Sequence, residues 1–384
     1  MKKKKGKKKT KAGHFQEAVT KLEKMLGLGG KKTDSFIEKL SGNLGPLLNN
    51  LEATVLTTQS IPFPLLKKMF KSYLKEVAGD AGVSFKDLQA SGGDLMELLK
   101  DWFKPELFQE LITQLAQFYF LNRNIEGEVD EFGMDASFVE AVRPLFQFLY
   151  QDYWRVKVSG IENIPSKGGC LMVANHSGAL PYDGAMLTVA TLNEHPAHRN
   201  PRFLIEDFVY HFPFLGTFMH RIGAVRACPE NAAWLLKKKQ LVLVFPEGVK
   251  GLGKLYSERY QLKRFGRGGF IKLAIQHKVP IVPVAIIGAE EIHPIIWKSS
   301  ILAKAMGVPY LPVTPTFPWL GPLGLIPLPS KWRIEIGKPI SFAKYKPSQA
   351  NDDLLVQKLA EEVRTEIQKK INLGLKKRKS VWLG

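Results

Sequence analysis

Between about residue 155 and residue 345 the chain keeps setting a short apolar run of strand length beside a stretch with helical spacing. Val156-Lys157-Val158 alternates, and Cys170 to Ala174 and Leu241 to Phe245 are compact apolar segments. A helix rich in Leu and Lys fits between Ala232 and Lys239, and another between Gly269 and Gln276. Val279-Pro280-Ile281-Val282-Pro283-Val284 follows, and Arg333-Ile334-Glu335-Ile336-Gly337 alternates once more. Strand and helix signals in turn predict a layered α/β domain over residues 151–345. Pro280 and Pro283 each lack a backbone donor, so their run is expected at an irregular sheet edge or a pocket wall.

The flanks read differently. Phe15, Val19, Leu22 and Leu26 recur at helical spacing. So do apolar positions around Leu65 to Leu74, Leu95 to Leu99, Leu107 to Phe118 and Phe138 to Tyr153. Residues 15–150 are therefore expected to be mainly helical, behind a basic tail at 1–14. Beyond 346, Leu355, Leu359, Val363, Ile367 and Ile371 predict a C-terminal amphipathic helix that runs into a second basic tail.

The formal net charge is +19, and it is concentrated at the ends. Residues 1–12 hold eight lysines and no acid, and Lys376-Lys377-Arg378-Lys379 adds four cations. Such runs suit a solvated tail or an anionic membrane surface, worth about 1 kcal/mol per cation near lipid. No nucleic-acid-reading module accompanies them, so nucleic acid is not expected as a partner. Cys170 and Cys228 are too few for a disulfide framework, and no histidine grouping has zinc-ligand spacing, so no metal is expected. The reduced cysteines and the missing apolar signal segment favour the cytosol. No apolar run reaches the ~20 residues of a spanning helix. Peripheral or monotopic attachment to the cytoplasmic face of a membrane is the expectation. Phe212-Pro213-Phe214-Leu215, Phe317-Pro318-Trp319-Leu320 and the N-terminal helices are the candidate insertion points.

Chemistry concentrates in the turns that follow two of the apolar runs. After Cys170 to Ala174 comes Asn175-His176, with Asp183 seven positions beyond the histidine. An imidazole titrates near neutrality and can take a proton from an attacking hydroxyl, while a carboxylate fixes its tautomer. The same Asp183 could instead simply cap a helix through Gly184 to Leu187. After Leu241 to Val244 comes Phe245-Pro246-Glu247-Gly248-Val249-Lys250. Gly248 permits close backbone approach there, and Glu247 is suited to binding substrate hydroxyls or orienting a cation. Lys250 attracts phosphate as a point charge. Arg226, in Gly223-Ala224-Val225-Arg226, offers the bidentate fork that a phosphate prefers.

These four blocks, 175–183, 223–226, 245–250 and 279–284, stand in the order of the motifs of the glycerolipid acyltransferase superfamily, which includes the lysophosphatidic acid acyltransferases. The chain resembles that family most closely over 175–284 and more loosely over 150–340. The resemblance implies His176 as catalytic base and Asp183 as its partner. It implies Arg226, Glu247, Gly248 and Lys250 as substrate-binding residues, with no bound cofactor. Acyl-CoA or acyl carrier protein would be the donor, and a lysophospholipid or related glycerolipid the acceptor. Six residues rather than the family's usual four separate His176 from Asp183. Gly178 and Pro181 allow a longer loop to fold back, and the spacing leaves room for a neutral mono- or diacylglycerol acceptor. A thioester or lipid hydrolase and a lipid-binding scaffold without turnover remain the alternatives. Oxyanion stabilisation is expected from backbone donors after His176 or near Gly248.

Overall fold

The computed structural model describes residues 110–111, 113–115, 127–178, 180–211, 215–295, 297–299, 303, 309–314, 317, 324–378 and 380–381. The N-terminal basic tail, the helices expected before residue 110, Phe212-Pro213-Phe214 and Pro318-Trp319-Leu320 lie outside these residues. The chain divides into two compact units, 1–116 and 117–384. The described part of the first is helical.

The second unit opens with α1 (Ala136–Phe148), where the Asp135 carboxylate accepts the Phe138 N–H as an N-cap. It continues as a π-helical turn through Tyr153. In chain order follow β1 (Lys157–Ser159), β2 (Cys170–Ala174), α2 (Tyr182–Glu194), β3 (Arg202–Ile205), α3 (Leu215–Arg221) and β4 (Ala224–Arg226). Next are α4 (Pro229–Lys237), β5 (Leu241–Val244), the one-turn α5 (Val249–Leu252), α6 (Gly269–His277) and β6 (Ile281–Ile287). The last are β7 (Trp297–Ser299), β8 (Leu311–Val313), β9 (Arg333–Ile336) and α7 (Asp353–Lys377). The α/β expectation holds, and α4 starts three residues earlier than its apolar spacing suggested. Pro229 occupies its first turn, where a missing N–H costs nothing.

Seven strands form one sheet in the order β1-β9-β6-β2-β5-β3-β4. Every pairing is parallel except β6 with β9. Consequently β2, β5, β3, β4 and β6 all end on one side, and β9 and β1 begin there. Parallel strands covered on both faces should be continuously apolar; β2 and β6 are buried at every residue.

The sheet-edge expectation for Pro283 is overturned, because β6 is an interior strand between β9 and β2. Its proline is tolerated at a break in the partner. Pairing with β9 runs only from Val284 to Ile287 and resumes as a bridge at Ile281–Ile340. Between them the Pro283 carbonyl accepts the Gly337 N–H at 2.8 Å, so the residue without a donor faces the one stretch where the ladder is irregular.

One face of the sheet is covered by α4, α6 and α7 around a shared apolar cluster. On α7, Val356, Leu359, Val363, Ile367 and Ile371 are buried, each worth roughly 1.5–3 kcal/mol of transfer free energy. Val356, not Leu355, takes the first core position, because a 3.6-residue turn drifts from a strict four-residue repeat. At Gly374 a side chain would collide with Ile287 (2.2 Å from the missing Cβ), so the helix lies directly against β6.

Candidate active site

The end of β2 is pinned by Asn175. Its amide donates to the Ile286 carbonyl at 2.9 Å and accepts the Ile286 N–H at 2.7 Å, continuing the β2–β6 pairing through a side chain. His176 comes next, with its ring stacked on Phe245 at 4.3 Å between centroids. Its Nδ1 lies 2.6 Å from Asp183 Oδ2. Asp183 is fully buried in the first turn of α2 and also accepts the N–H groups of Ser177 at 3.0 Å and Gly184 at 2.8 Å. The six-residue loop therefore does close the pair. Gly178 turns it with φ +87°, passing so close to Ala289 that a Cβ would lie 3.2 Å from that carbonyl. With Nδ1–H directed at the carboxylate, Nε2 carries the lone pair and is the atom able to accept a proton.

The turn after β5 lies beside this loop. Glu247 is buried, and its Oε1 accepts the His176 backbone N–H at 3.0 Å. Its Oε2 accepts the Lys263 N–H at 2.7 Å and lies 3.3 Å from Lys254 Nζ. Both oxygens are thus engaged within the protein, bracing the histidine and orienting a cation. Lys254 also contacts Glu290 Oε1 at 2.9 Å, and the other Glu290 oxygen accepts the Tyr260 N–H at 3.0 Å. Burial alone would depress the Lys254 ammonium, but Glu290 and Glu247 hold it above the ordinary lysine range. Burial pushes the Glu290 carboxyl up to about 7, against the pull of Lys254.

Gly248 adopts φ +54° and ψ −147°, a conformation that side chains avoid. A Cβ there would meet Glu206 Oε1 at 2.5 Å, so the acidic end of β3 lies against this turn. At Gly251 a Cβ would come within 2.6 Å of Glu247 Cβ and 2.9 Å of His176 Cβ. Lys250, on α5, is exposed. Arg226, at the end of β4, is exposed too, and its fork is held by Asp207, with Nε to Oδ1 and Nη2 to Oδ2 both at 2.7 Å. The structure thus brings His176, Asp183, Glu247 and Gly248 into one contact set, with Arg226 further along the same sheet end.

Two of the donors expected for an oxyanion, the N–H groups of Ser177 and Gly248, are engaged within the protein. The N–H of His176 goes to Glu247, that of Ser177 to Asp183 and that of Gly248 to the Phe245 carbonyl at 3.0 Å. Sequence reading also passed over Glu206, Asp207, Gly251, Lys254 and Tyr310. The Tyr310 phenol is held above its ordinary value by burial and by the nearby Asp183. Only Gly251, one step from the Glu-Gly turn, had a local signal. The others arrive from separate segments. Among the described residues no grouping of three or more His, Cys, Asp or Glu side chains could hold a metal ion.

An imidazole oriented by a buried carboxylate, at the open end of a mainly parallel sheet, is the arrangement of an enzyme that moves protons to or from a substrate hydroxyl. The family model described as Acyltransferase matches residues 155–287. An uncharacterized protein of Mycobacterium tuberculosis, Rv0502, is 47% identical over 283 residues, covering 73% of this chain and 78% of that protein. The "DGAT1/2-independent enzyme synthesizing storage lipids" of Gallus gallus is 28% identical over 187 residues, 48% of this chain and 52% of that one. A crystal structure of the 1-acyl-sn-glycerophosphate acyltransferase PlsC from Thermotoga maritima aligns with TM-score 0.41 and 18% identity, over 76% of this chain and 96% of that one. Residues 155–287, which hold the His176–Asp183 pair and the Glu247-Gly248 turn, belong to the Acyltransferase family.

Proposed function

We propose that the protein moves a fatty acyl group from an acyl thioester, acyl-CoA or acyl carrier protein, to a free hydroxyl of a glycerolipid. The observation that carries this reading is the 2.6 Å contact between His176 Nδ1 and Asp183 Oδ2, which leaves Nε2 to act as base. The acceptor hydroxyl gives its proton to Nε2 as its oxygen attacks the thioester carbonyl. The tetrahedral species then collapses with cleavage of the C–S bond, and the imidazolium returns the proton to the departing thiolate. Asp183 stabilises that imidazolium without taking a proton. Glu247 serves as a positioning residue, while Gly248, Lys250 and Arg226 line the acceptor side. The storage-lipid role in the name of the Gallus gallus relative supports a glycerolipid acceptor.

Attachment to the cytoplasmic face of a membrane is part of the proposal. Among the described residues no helix is long and apolar enough to cross a bilayer. The C-terminal end of α7 presents exposed Leu373, Lys376 and Lys377. It is tied to the catalytic end of the sheet by Arg378 Nη1, 2.6 Å from Glu291 Oε2. Cations and an apolar side chain at that end would meet anionic lipid with the site facing it.

Incubating the purified protein with acyl-CoA and a glycerolipid panel, with mass analysis of products, tests the reading. Esterified acceptor is expected from wild type and none from His176→Ala. Free fatty acid alone would make the enzyme a hydrolase. Flotation with vesicles containing phosphatidylglycerol tests the membrane part. Binding that is equally weak on anionic and neutral vesicles would count against it.

A further inference from the structure

The corner of the sheet next to the catalytic pair carries charges that bear on which hydroxyl is acylated. Because β2, β5, β3 and β4 are successive neighbours, His176, Gly248, Glu206-Asp207 and Arg226 follow one another along a single sheet end. Three strand spacings, ~14 Å, separate the first backbone from the last, and the arginine side chain shortens the gap. A phosphate on an acceptor held at His176 would be recognised by the Arg226 fork, were it open. Instead its Nε/Nη2 edge is taken by Asp207, both contacts at 2.7 Å. The neighbouring carboxylate, Glu206, lies against Gly248. Glu206, Asp207 and Arg226 together are net negative, and exposed Lys250 brings the corner only to neutrality.

A second observation comes from the same turn. The Tyr210 hydroxyl is buried and has no hydrogen-bond partner among the described residues. It is near enough to Asp207 and Arg226 for both charges to act on it. Burial first, and Asp207 second, push its ionisation up to about 12, so it is a neutral phenol that can donate as well as accept. A buried hydroxyl without a partner is costly unless a ligand completes it.

We propose that Asp207 and Tyr210 are specificity-determining residues that fit the acceptor site to an uncharged acylglycerol rather than to a lysolipid bearing a phosphate; this rests on the acyl-transfer reading above. A phosphate would have to displace Asp207 from the Nε/Nη2 edge or take the remaining end of the guanidinium, and in either position it would sit beside two carboxylates. Opening one exposed pair costs a ligand only about fivefold. The two carboxylates left behind supply the larger part of the discrimination, through direct repulsion. An uncharged acylglycerol leaves the Arg226–Asp207 pair intact and offers hydroxyl and ester oxygens to the Tyr210 phenol.

The test measures kcat/KM of the full-length protein with acyl-CoA and each of monoacylglycerol, diacylglycerol and lysophosphatidic acid, all presented in phosphatidylcholine vesicles. Wild type should favour an uncharged acceptor. Asp207→Asn, and likewise Asp207→Ala, should raise the ratio of lysophosphatidic acid to uncharged acceptor about tenfold. That gain should shrink in high salt. Tyr210→Phe should lower use of the uncharged acceptor without raising use of the phosphate-bearing one. Wild-type preference for lysophosphatidic acid, or a ratio unmoved by both Asp207 substitutions, overturns the inference while leaving acyl transfer intact. Hydrolysis of the thioester with no acylation of any of the three lipids removes the acyl-transfer reading and this inference together.

Discussion

Glu247 Oε1 accepts the backbone N–H of His176 at 3.0 Å, so the turn after β5 holds the backbone two residues past the end of β2. The same carboxylate meets the Lys263 N–H and the Lys254 ammonium, so both of its oxygens are engaged within the protein. The side chain thereby joins three loops at the catalytic end of the sheet and orients the Lys254 cation, one of the two roles expected of it.

Glu247→Gln should therefore act on both stability and turnover. The amide can still accept from one N–H, but the buried Lys254 loses a counter-charge. Breaking a buried pair costs about 3–5 kcal/mol; with Glu290 remaining and one acceptor kept, about 2 kcal/mol is expected. Denaturant unfolding measures this, and kcat should fall more than KM rises. An unchanged unfolding midpoint would show that the carboxylate is not a brace.

Asp183→Asn tests the tautomer. An amide presenting its N–H to Nδ1 would draw the lone pair to that nitrogen and place the proton on Nε2, where it cannot serve as base. Acyl transfer should drop by roughly three to four orders of magnitude. His176→Ala should fall to background. Circular dichroism establishes that both variants are folded, and turnover of either near the wild-type rate would exclude the assigned pair.

Gly251→Ala probes packing under the site. The new methyl would press on the Cβ atoms of Glu247 and His176, at 2.6 and 2.9 Å, and neither is the far end of a flexible chain. Overpacking of this kind costs about 1–3 kcal/mol, and the displacement falls on the two residues whose spacing matters most. Activity is expected to fall well beyond the loss of folded protein. A variant as active as wild type at equal folded concentration would argue against that tight approach.

His293 provides a pH prediction with a definite sign. Burial holds its imidazole down to about 4, and its Nε2 faces the Leu325 carbonyl at 2.8 Å. The unfolded chain takes up a proton below about 6.5 that the folded protein refuses until about 4. Stability from this group is therefore full above 6.5 and is lost as pH falls through that window, about 3 kcal/mol in all. Glu290 slopes the other way, because its raised carboxyl contributes stability at low pH that is lost as pH rises through about 7. The effect of His293 must be read as a difference. His293→Gln should gain on wild type by about 3 kcal/mol between pH 7 and pH 4 in denaturant unfolding. A constant gap across that range would contradict it.

The sequence made the α/β layering, the catalytic pair and the Glu-Gly turn visible because each depends on neighbours in the chain. Apolar spacing located β2, β5, β6 and α7, and the polar turns after β2 and β5 stood out against them. Partners brought together by the sheet were hidden. Nothing near Glu247 in sequence marks Lys254 and Glu290 as its company. Nothing near Arg226 marks Asp207 as the carboxylate that takes its Nε/Nη2 edge. The edge assignment of Pro283 failed for a similar reason. A proline states that a donor is missing, while only the partner strand decides where the gap can be tolerated.

The single antiparallel pairing, β9 against β6, has a consequence for excision. The segment 155–287 contains every recognisable motif, yet the strand that completes β6 on one side lies at 333–336, and the helix covering it at 353–377. Arg378, 87 positions after Glu291, supplies the cation for that buried carboxylate. A fragment cut at the motif boundaries would carry the whole signature while leaving an open strand edge and a bare apolar face, and it would lose this ion pair altogether. The unit by which such a chain is recognised is smaller than the unit by which it can stand alone.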